Sequence, residues 1–171
     1  MKKIIFIAFL ALLFTGSVKA QRYAIIDTKY ILSKMPEYTD ADKKLQQVSE
    51  QWQKEIDGLQ SQLDQMYKNY DAEQYMLSDE LKKKREDELF NKEKELRDLQ
   101  KRRFGYEGDL FKERQKLVKP IQDKVYNAVQ KIAVTKGYDF ILDKSEGITV
   151  IFADPKLDRS TDVLQQLGVK D

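Results

Sequence analysis

Ile56, Leu63, Tyr70 and Leu77 stand seven residues apart. Before them, Leu45, Val48, Trp52 and Ile56 follow at steps of three, four and four, which make one eleven-residue unit. Apolar side chains repeating near 3.5 residues form a narrow stripe that must be covered by another helix. The stripe stops at Ser78-Asp79-Glu80, where a small hydroxyl and two acids mark a new helix start. It resumes through Leu81, Leu89, Leu96, Leu99, Tyr106, Leu110 and Leu117. Pro36 and Pro120 bracket the whole stretch, and Ser78 is their midpoint. Residues 39–119 therefore read as one antiparallel helical hairpin with its tip near 76–80, pairing residues whose numbers add to about 155. Each arm of about 38 residues, at 1.5 Å per residue, projects roughly 57 Å.

Charge fits that pairing. Residues 37–77 hold nine acids and four bases, whereas residues 78–119 hold eleven acids and fourteen bases. Opposite net charges favour antiparallel docking, although exposed pairs contribute only ~0–1 kcal/mol each. Trp52 falls opposite residue 103, so a stack on Arg103 or Phe104 is expected. The seam also carries Arg85, Lys92 and Arg103, so it is thin. Pro120 is expected to kink the second arm, because it lacks an N–H and crowds the preceding turn.

The flanks are different. Arg22–Thr28 is short, apolar and β-branched, a strand signal. Asp27 or Thr28 can cap a short helix that ends at Pro36, and Thr39 with Asp42 resembles a capping box for the long helix. After Pro120, Ile121, Val125, Val129 and Ile132 restore a rich apolar stripe, and Gly137 suits a helix end. Residues 138–143 and 148–153 then read as two strands of a hairpin turned at 144–147. Asp158 or Ser160 caps a last short helix, residues 161–167.

The expected fold is mainly α with a small β part (α+β). A long antiparallel coiled-coil hairpin, residues 39–119, projects from a body made of residues 21–38 and 120–171. Three strands and two short helices bury little core alone and leave open edges, so the bodies of several subunits are expected to assemble. Ile25, Ile26, Phe140, Leu142, Val150 and Phe152 are the strand residues expected to form that joint.

The first twenty residues look like a secretory signal peptide. A basic start (Lys2, Lys3) precedes the apolar run Ile4–Phe14, a break at residues 15–17 and small residues before a cut after Ala20. The run is too short to span a bilayer comfortably. Removing it takes away Lys2, Lys3 and Lys19 from 31 bases, leaving 28 against 29 acids. Such balance argues against a nucleic-acid binder. Histidine and cysteine are both absent, which removes the commonest general base, the thiol nucleophile and most metal ligands. No phosphate-binding loop occurs. Asp154, Asp158 and Asp162 recur every fourth residue, but turn and cap duty explains them better than a cation site. No enzyme, cofactor or metal is expected.

Two groups of residues are candidates for binding. Met66, Tyr67, Tyr70, Tyr75, Met76 and Leu77 crowd the distal first arm, with Phe90, Phe104, Tyr106 and Phe111 on the return arm. One seam cannot absorb them all, so some must face outward, where adaptable Met and amphipathic Tyr suit weak contacts with many apolar segments. Lys82, Lys83, Lys84 and Arg85 follow the tip and could attract acidic chains or anionic lipid head groups. Glu86-Asp87-Glu88 follows at once, so a solvated, internally paired face explains them as well.

The motifs at the two ends carry a family likeness. Tyr23-Ala-Ile-Ile-Asp-Thr-Lys-Tyr-Ile-Leu-Ser-Lys-Met-Pro-Glu-Tyr38 resembles the opening of the OmpH/Skp family of periplasmic chaperones. Ile132–Lys144, Val150-Ile-Phe-Ala-Asp-Pro155 and the stretch from Asp158 to Leu167 resemble that family's ending, in order. The resemblance implies a homotrimer with a β body and three helical tentacles around a cavity. It implies ATP-independent holding of unfolded outer-membrane proteins in the periplasm. A structural adaptor or spacer of the cell envelope is the alternative, and binding to one folded complex rather than to many unfolded chains would favour it.

Overall fold

In the computed structural model, the described residues are 21–145, 147 and 150–170. The expected signal peptide, and Ile148 and Thr149 of the expected last strand, lie outside them. Strand β1 (Tyr23–Ile26) leads into helix α1 (Thr28–Lys34), and helix α2 (Pro36–Glu73) follows directly. Helix α3 (Asp79–Phe104) returns along it, and helix α4 (Asp109–Lys136) continues to the body. Strand β2 (Phe140–Asp143), a short 3-10 turn (Pro155–Leu157) and helix α5 (Ser160–Gln166) complete the chain.

Local chemistry sets most of the boundaries. The Asp27 carboxylate caps α1 by accepting from the Tyr30 N–H at 2.9 Å. The long helix begins at Pro36 rather than at Thr39. Proline in the first turn gives up an N–H that has no partner there and holds φ near its helical value. Thr39 therefore lies inside the helix, its hydroxyl donating back to the Met35 carbonyl at 3.5 Å. Ser78 caps α3, with its hydroxyl accepting from the Leu81 N–H. Gly137 closes α4 in the left-handed region at φ 66, where a side chain would be strained.

Helix α4 runs through Pro120, where a kink is expected, without ending there, and the return arm is interrupted at Gly105–Gly108. Pro120 is exposed, while Val118, Ile121 and Val125 beside it are buried in the body and hold the helix in place. At the observed break two glycines fall within one turn, and Glu107 between them takes φ 52.

The expected strand pairing is also corrected. β2 pairs with β1, in parallel, in the register Tyr23 to Phe140 through Ile26 to Asp143. On its other side β1 meets a single bridge from Ile25 to Asp158, where the Arg159 N–H donates to the Ile25 carbonyl at 2.8 Å. Residues 150–153 form no strand. The parallel pair is joined through the entire hairpin, so nothing local in the sequence signals it. It is selected by the core that both strands serve.

That core gathers Ile26, Ile31, Met35, Ala41, Ile121, Val125, Ala128, Ile132, Val163 and Leu164. A second, thin core lies along the rod: Ile56 and Leu63 of α2 against Leu89, Leu96 and Leu99 of α3. Cross-arm contacts pair Trp52 with Phe104, Tyr67 with Glu93 and Tyr70 with Glu86. This register is close to the one expected about Ser78.

Candidate functional site: the helical rod and its tip

The rod gives each aromatic of the distal arm a different fate. Met66 and Tyr70 pack against the rod core, so these two expected surface residues serve the seam, and Leu77 in the turn is half-buried. Tyr67 stays on the surface, but its hydroxyl donates to the Glu93 carboxylate across the arms; the Tyr70 hydroxyl does the same to Glu86. Tyr75 and Met76 remain free in the turn, 87% and 81% exposed. Leu81 is exposed in the first turn of α3, and Phe90 is exposed farther down that helix, so both arms of the distal rod carry apolar surface. Leu81 was not singled out from the sequence; it reads there as one more seam leucine.

The cross-arm tyrosines tie the rod to pH. The hydrogen bond from Tyr67 holds the Glu93 carboxyl below its ordinary value, with help from Arg97. Bonding to Glu93 and Glu86 raises Tyr67 and Tyr70 above theirs. A raised tyrosine stabilises the rod fully below the ordinary value of 10.0 and loses that contribution as pH climbs through its folded value. Glu93 works in the other direction, contributing above 4.5 and losing effect as pH falls through its lowered value. Tyrosinate absorbance should therefore show a late-titrating fraction that disappears in Tyr67→Phe/Tyr70→Phe. A single titration of all tyrosines near the ordinary value would contradict this.

The basic tip is more dilute than its sequence suggests. Arg85 pairs with Glu88 at 3.0 Å, and Lys82 is half-buried. Lys83 and Lys84 are exposed and make no ion pair among the described residues.

Midway along the rod lies a clasp. The Arg103 guanidinium sits over the Trp52 ring, 4.8 Å from its centroid. It reaches Glu55 of α2 at 3.0 Å and Asp109 of α4 at 2.7 Å, so one side chain ties three helices across the Gly105–Gly108 break. Desolvation opposes its charge, but Asp109 and Glu55 outweigh that and raise its pKa. Phe104 meets Trp52 edge-on with ring centroids 6.5 Å apart, which spends part of its surface inside the rod. At the break itself Tyr106 stands 97% exposed.

In the body, the expected assembly residues divide. Ile25 and Ile26 are buried within their own chain. Phe140 is exposed and stacks on Tyr23 with centroids 5.8 Å apart. Leu142 and Val150 are half-buried. Phe152 is 84% exposed and Ile151, its neighbour, 95%.

The polar residues of the body work locally. Burial pushes Asp143 up, but hydrogen bonds from Thr28 and Ser145 outweigh it and hold the carboxyl below its ordinary value. Asp158 is lowered in the same way: burial raises it, and Lys144 and Ser160 outweigh the burial. Lys144 pairs with Asp158 at 2.7 Å, and Lys136 pairs with Asp162 at 2.7 Å. Asp154 accepts from the Lys156 N–H at 2.9 Å. The three aspartates thus cap and pair separately. Among the described residues no three acidic side chains gather to hold a metal, and no helix is long and apolar enough to cross a membrane.

A thin-cored rod with exposed apolar side chains near its end stands on a small α/β body. The family model for OmpH-like outer membrane protein matches residues 22–167, and the chain belongs to that family, whose members are chaperones and not enzymes. The chaperone protein Skp of Yersinia enterocolitica is 28% identical over 160 residues, covering 92% of this chain and 93% of the relative. An OmpH-like outer membrane chaperone from Caulobacter crescentus shares the fold, with a TM-score of 0.68 at 17% identity over 90% of this chain and 87% of the other.

Proposed function

We propose that this chain is an ATP-independent periplasmic holdase for unfolded outer-membrane proteins. Exported by a cleaved signal peptide, it assembles through its body as a homotrimer. Three rods then surround one client. Family membership and the likeness to Skp support the chaperone role. The observation that carries the mechanism is the apolar end of the rod, where Tyr75, Met76 and Leu81 are exposed.

Such side chains make weak contacts with many apolar segments. Rods held on one body present several such ends at high effective concentration, so weak contacts sum by avidity. A client enclosed this way cannot meet another client, and aggregation slows. Release requires no nucleotide: once the client folds into a membrane its apolar segments are covered, and the contacts that held it are gone. Phe90 and the outer face of Phe104 extend the surface down the rod, and Lys83 and Lys84 add weak attraction for acidic chains or anionic lipid head groups.

Tyr75→Ser/Met76→Ser tests this reading. Both side chains are exposed, so helicity should be unchanged. About tenfold more protein should be needed to suppress aggregation of a urea-denatured outer-membrane protein diluted into buffer, as expected for losing roughly 1.4 kcal/mol of contact. Unchanged suppression would remove the tip from the mechanism. Saturable binding to a single folded complex, with no effect on unfolded chains, would replace the holdase by an adaptor.

A further inference from the structure

Beyond the first twenty residues the chain holds sulfur only in Met35, Met66 and Met76, and cysteine is absent throughout. The fold treats the three methionines differently. Met35 is 4% exposed and belongs to the body core. Met66 is half-buried against the leucines of the rod. Met76 is 81% exposed in the turn between α2 and α3. The turn is held by its backbone, with the Met76 N–H donating to the Glu73 carbonyl at 2.8 Å. Its side chain is part of neither core. Trp52, the single tryptophan, is half-buried between the Arg103 guanidinium and the Phe104 ring.

With no thiol to react first, exposure ranks the thioethers as targets of a two-electron oxidant such as a peroxide. The sulfur lone pair attacks one peroxide oxygen. The S–O bond forms as the O–O bond breaks, a proton shifts to the departing hydroxide, and water leaves. Sulfur is oxidised by two electrons and the peroxide is reduced by two. The product, methionine sulfoxide, puts a polar group where a flexible apolar one stood. At Met35 or Met66 that change would disturb a core. At Met76 it leaves the packing of both helices untouched and alters only what the tip presents beside Tyr75 and Leu81. A sulfoxide oxygen pressed against an apolar segment finds no hydrogen-bond donor there, so burying it is costly.

We infer that Met76 is a reversible oxidation site, and that its sulfoxide weakens the hold of the rod's end on apolar segments of a client. The inference rests on the reading that the tip contacts clients, and it adds a control on that contact. The one methionine open to solvent lies where its chemistry matters for binding, while the two whose oxidation would damage the fold are shielded. Reduction by a methionine sulfoxide reductase returns the thioether and with it the apolar tip.

The test treats the full mature chain with hydrogen peroxide, removes the oxidant and locates the added oxygen by peptide mass. Met76 should convert at least about tenfold faster than Met35, with Met66 between them, following their exposure. Protein oxidised at Met76 alone should keep its helicity. About fourfold more of it should be needed to suppress aggregation of a urea-denatured outer-membrane protein, the effect of losing one methylene-sized apolar contact. Methionine sulfoxide reductase should reverse the loss. Each variant is compared with its own untreated sample: Met76→Leu should lose the sensitivity to peroxide, and Met66→Leu should keep it. Oxidation that starts at Met35 or Met66, undiminished suppression by protein fully oxidised at Met76, or sensitivity that persists in Met76→Leu would each overturn the inference while leaving the tip reading standing. Unchanged suppression by Tyr75→Ser/Met76→Ser would overturn the tip reading and this inference with it.

Discussion

Leu164→Ala is expected to destabilise the body by about 2–5 kcal/mol, the range for deleting a fully buried leucine side chain. Leu164 is 0% exposed and belongs to a helix of seven residues. A helix that short has no stability of its own in water and is held only by the face it buries. Val163 and Leu164 are that face, joined in one core with Ile31 of α1 and with Ile121, Val125, Ala128 and Ile132 of α4. The cavity would therefore loosen α5 and, through the Ile25–Asp158 bridge, the free side of β1. Hydrogen exchange should accelerate in residues 22–35 and 158–167 before it does in the middle of α2. Uniform exchange along the chain, or an unchanged melting temperature, would show that the body core is not organised as described.

Gly105→Ala should cost about 1–3 kcal/mol, the usual penalty for forcing extra atoms into a packed site. A Cβ on Gly105 would lie 2.3 Å from the Lys101 carbonyl oxygen, and one on Gly108 would lie 2.8 Å from that of Arg102. Both neighbours are backbone, so neither can swing aside as a side chain can. Alanine also favours continuing α3 by roughly 1 kcal/mol over glycine. The break would have to open or shift, moving Asp109 away from Arg103 and disturbing the guanidinium over Trp52. Trp52 is the chain's single tryptophan, so its fluorescence reports the clasp directly. Gly105→Ala should shift Trp52 emission and lower the rod's melting temperature. Unchanged emission with unchanged melting would mean that the glycines do not hold the break.

The rod was legible because its determinants are local. The seven-residue spacing, the opposite charges of the two arms and the hydroxyl at Ser78 each act within a few turns of helix, and together they place the fold-back and the register. Even the Trp52–Arg103 contact followed from counting back from the tip. The break in the return arm at Gly105–Gly108 was not singled out from the sequence, where Pro120 was the signal that stood out. Pro120 looks the stronger in isolation, yet the ring is tolerated where it points to solvent and buried neighbours hold the helix. The glycine pair has no such support and yields.

The distal aromatics mark another boundary of legibility. Periodicity says that Met66, Tyr67 and Tyr70 cannot all fill one seam, but it does not say which acquires a partner. Glu93 and Glu86 make that choice from the opposite arm, so Tyr67 and Tyr70 are anchored while Tyr75 and Met76 stay free.

Composition, heptad spacing and terminal motifs thus sufficed for the helical hairpin, its direction, its end and its kinship, since each depends on residues close together in the chain. Which strands pair, where the return arm bends and which apolar side chains are left uncovered depended on the folded body. The strand pairing arises when segments more than a hundred residues apart meet over one core, and a parallel pairing of β1 with β2 leaves no mark on the sequence beside either strand.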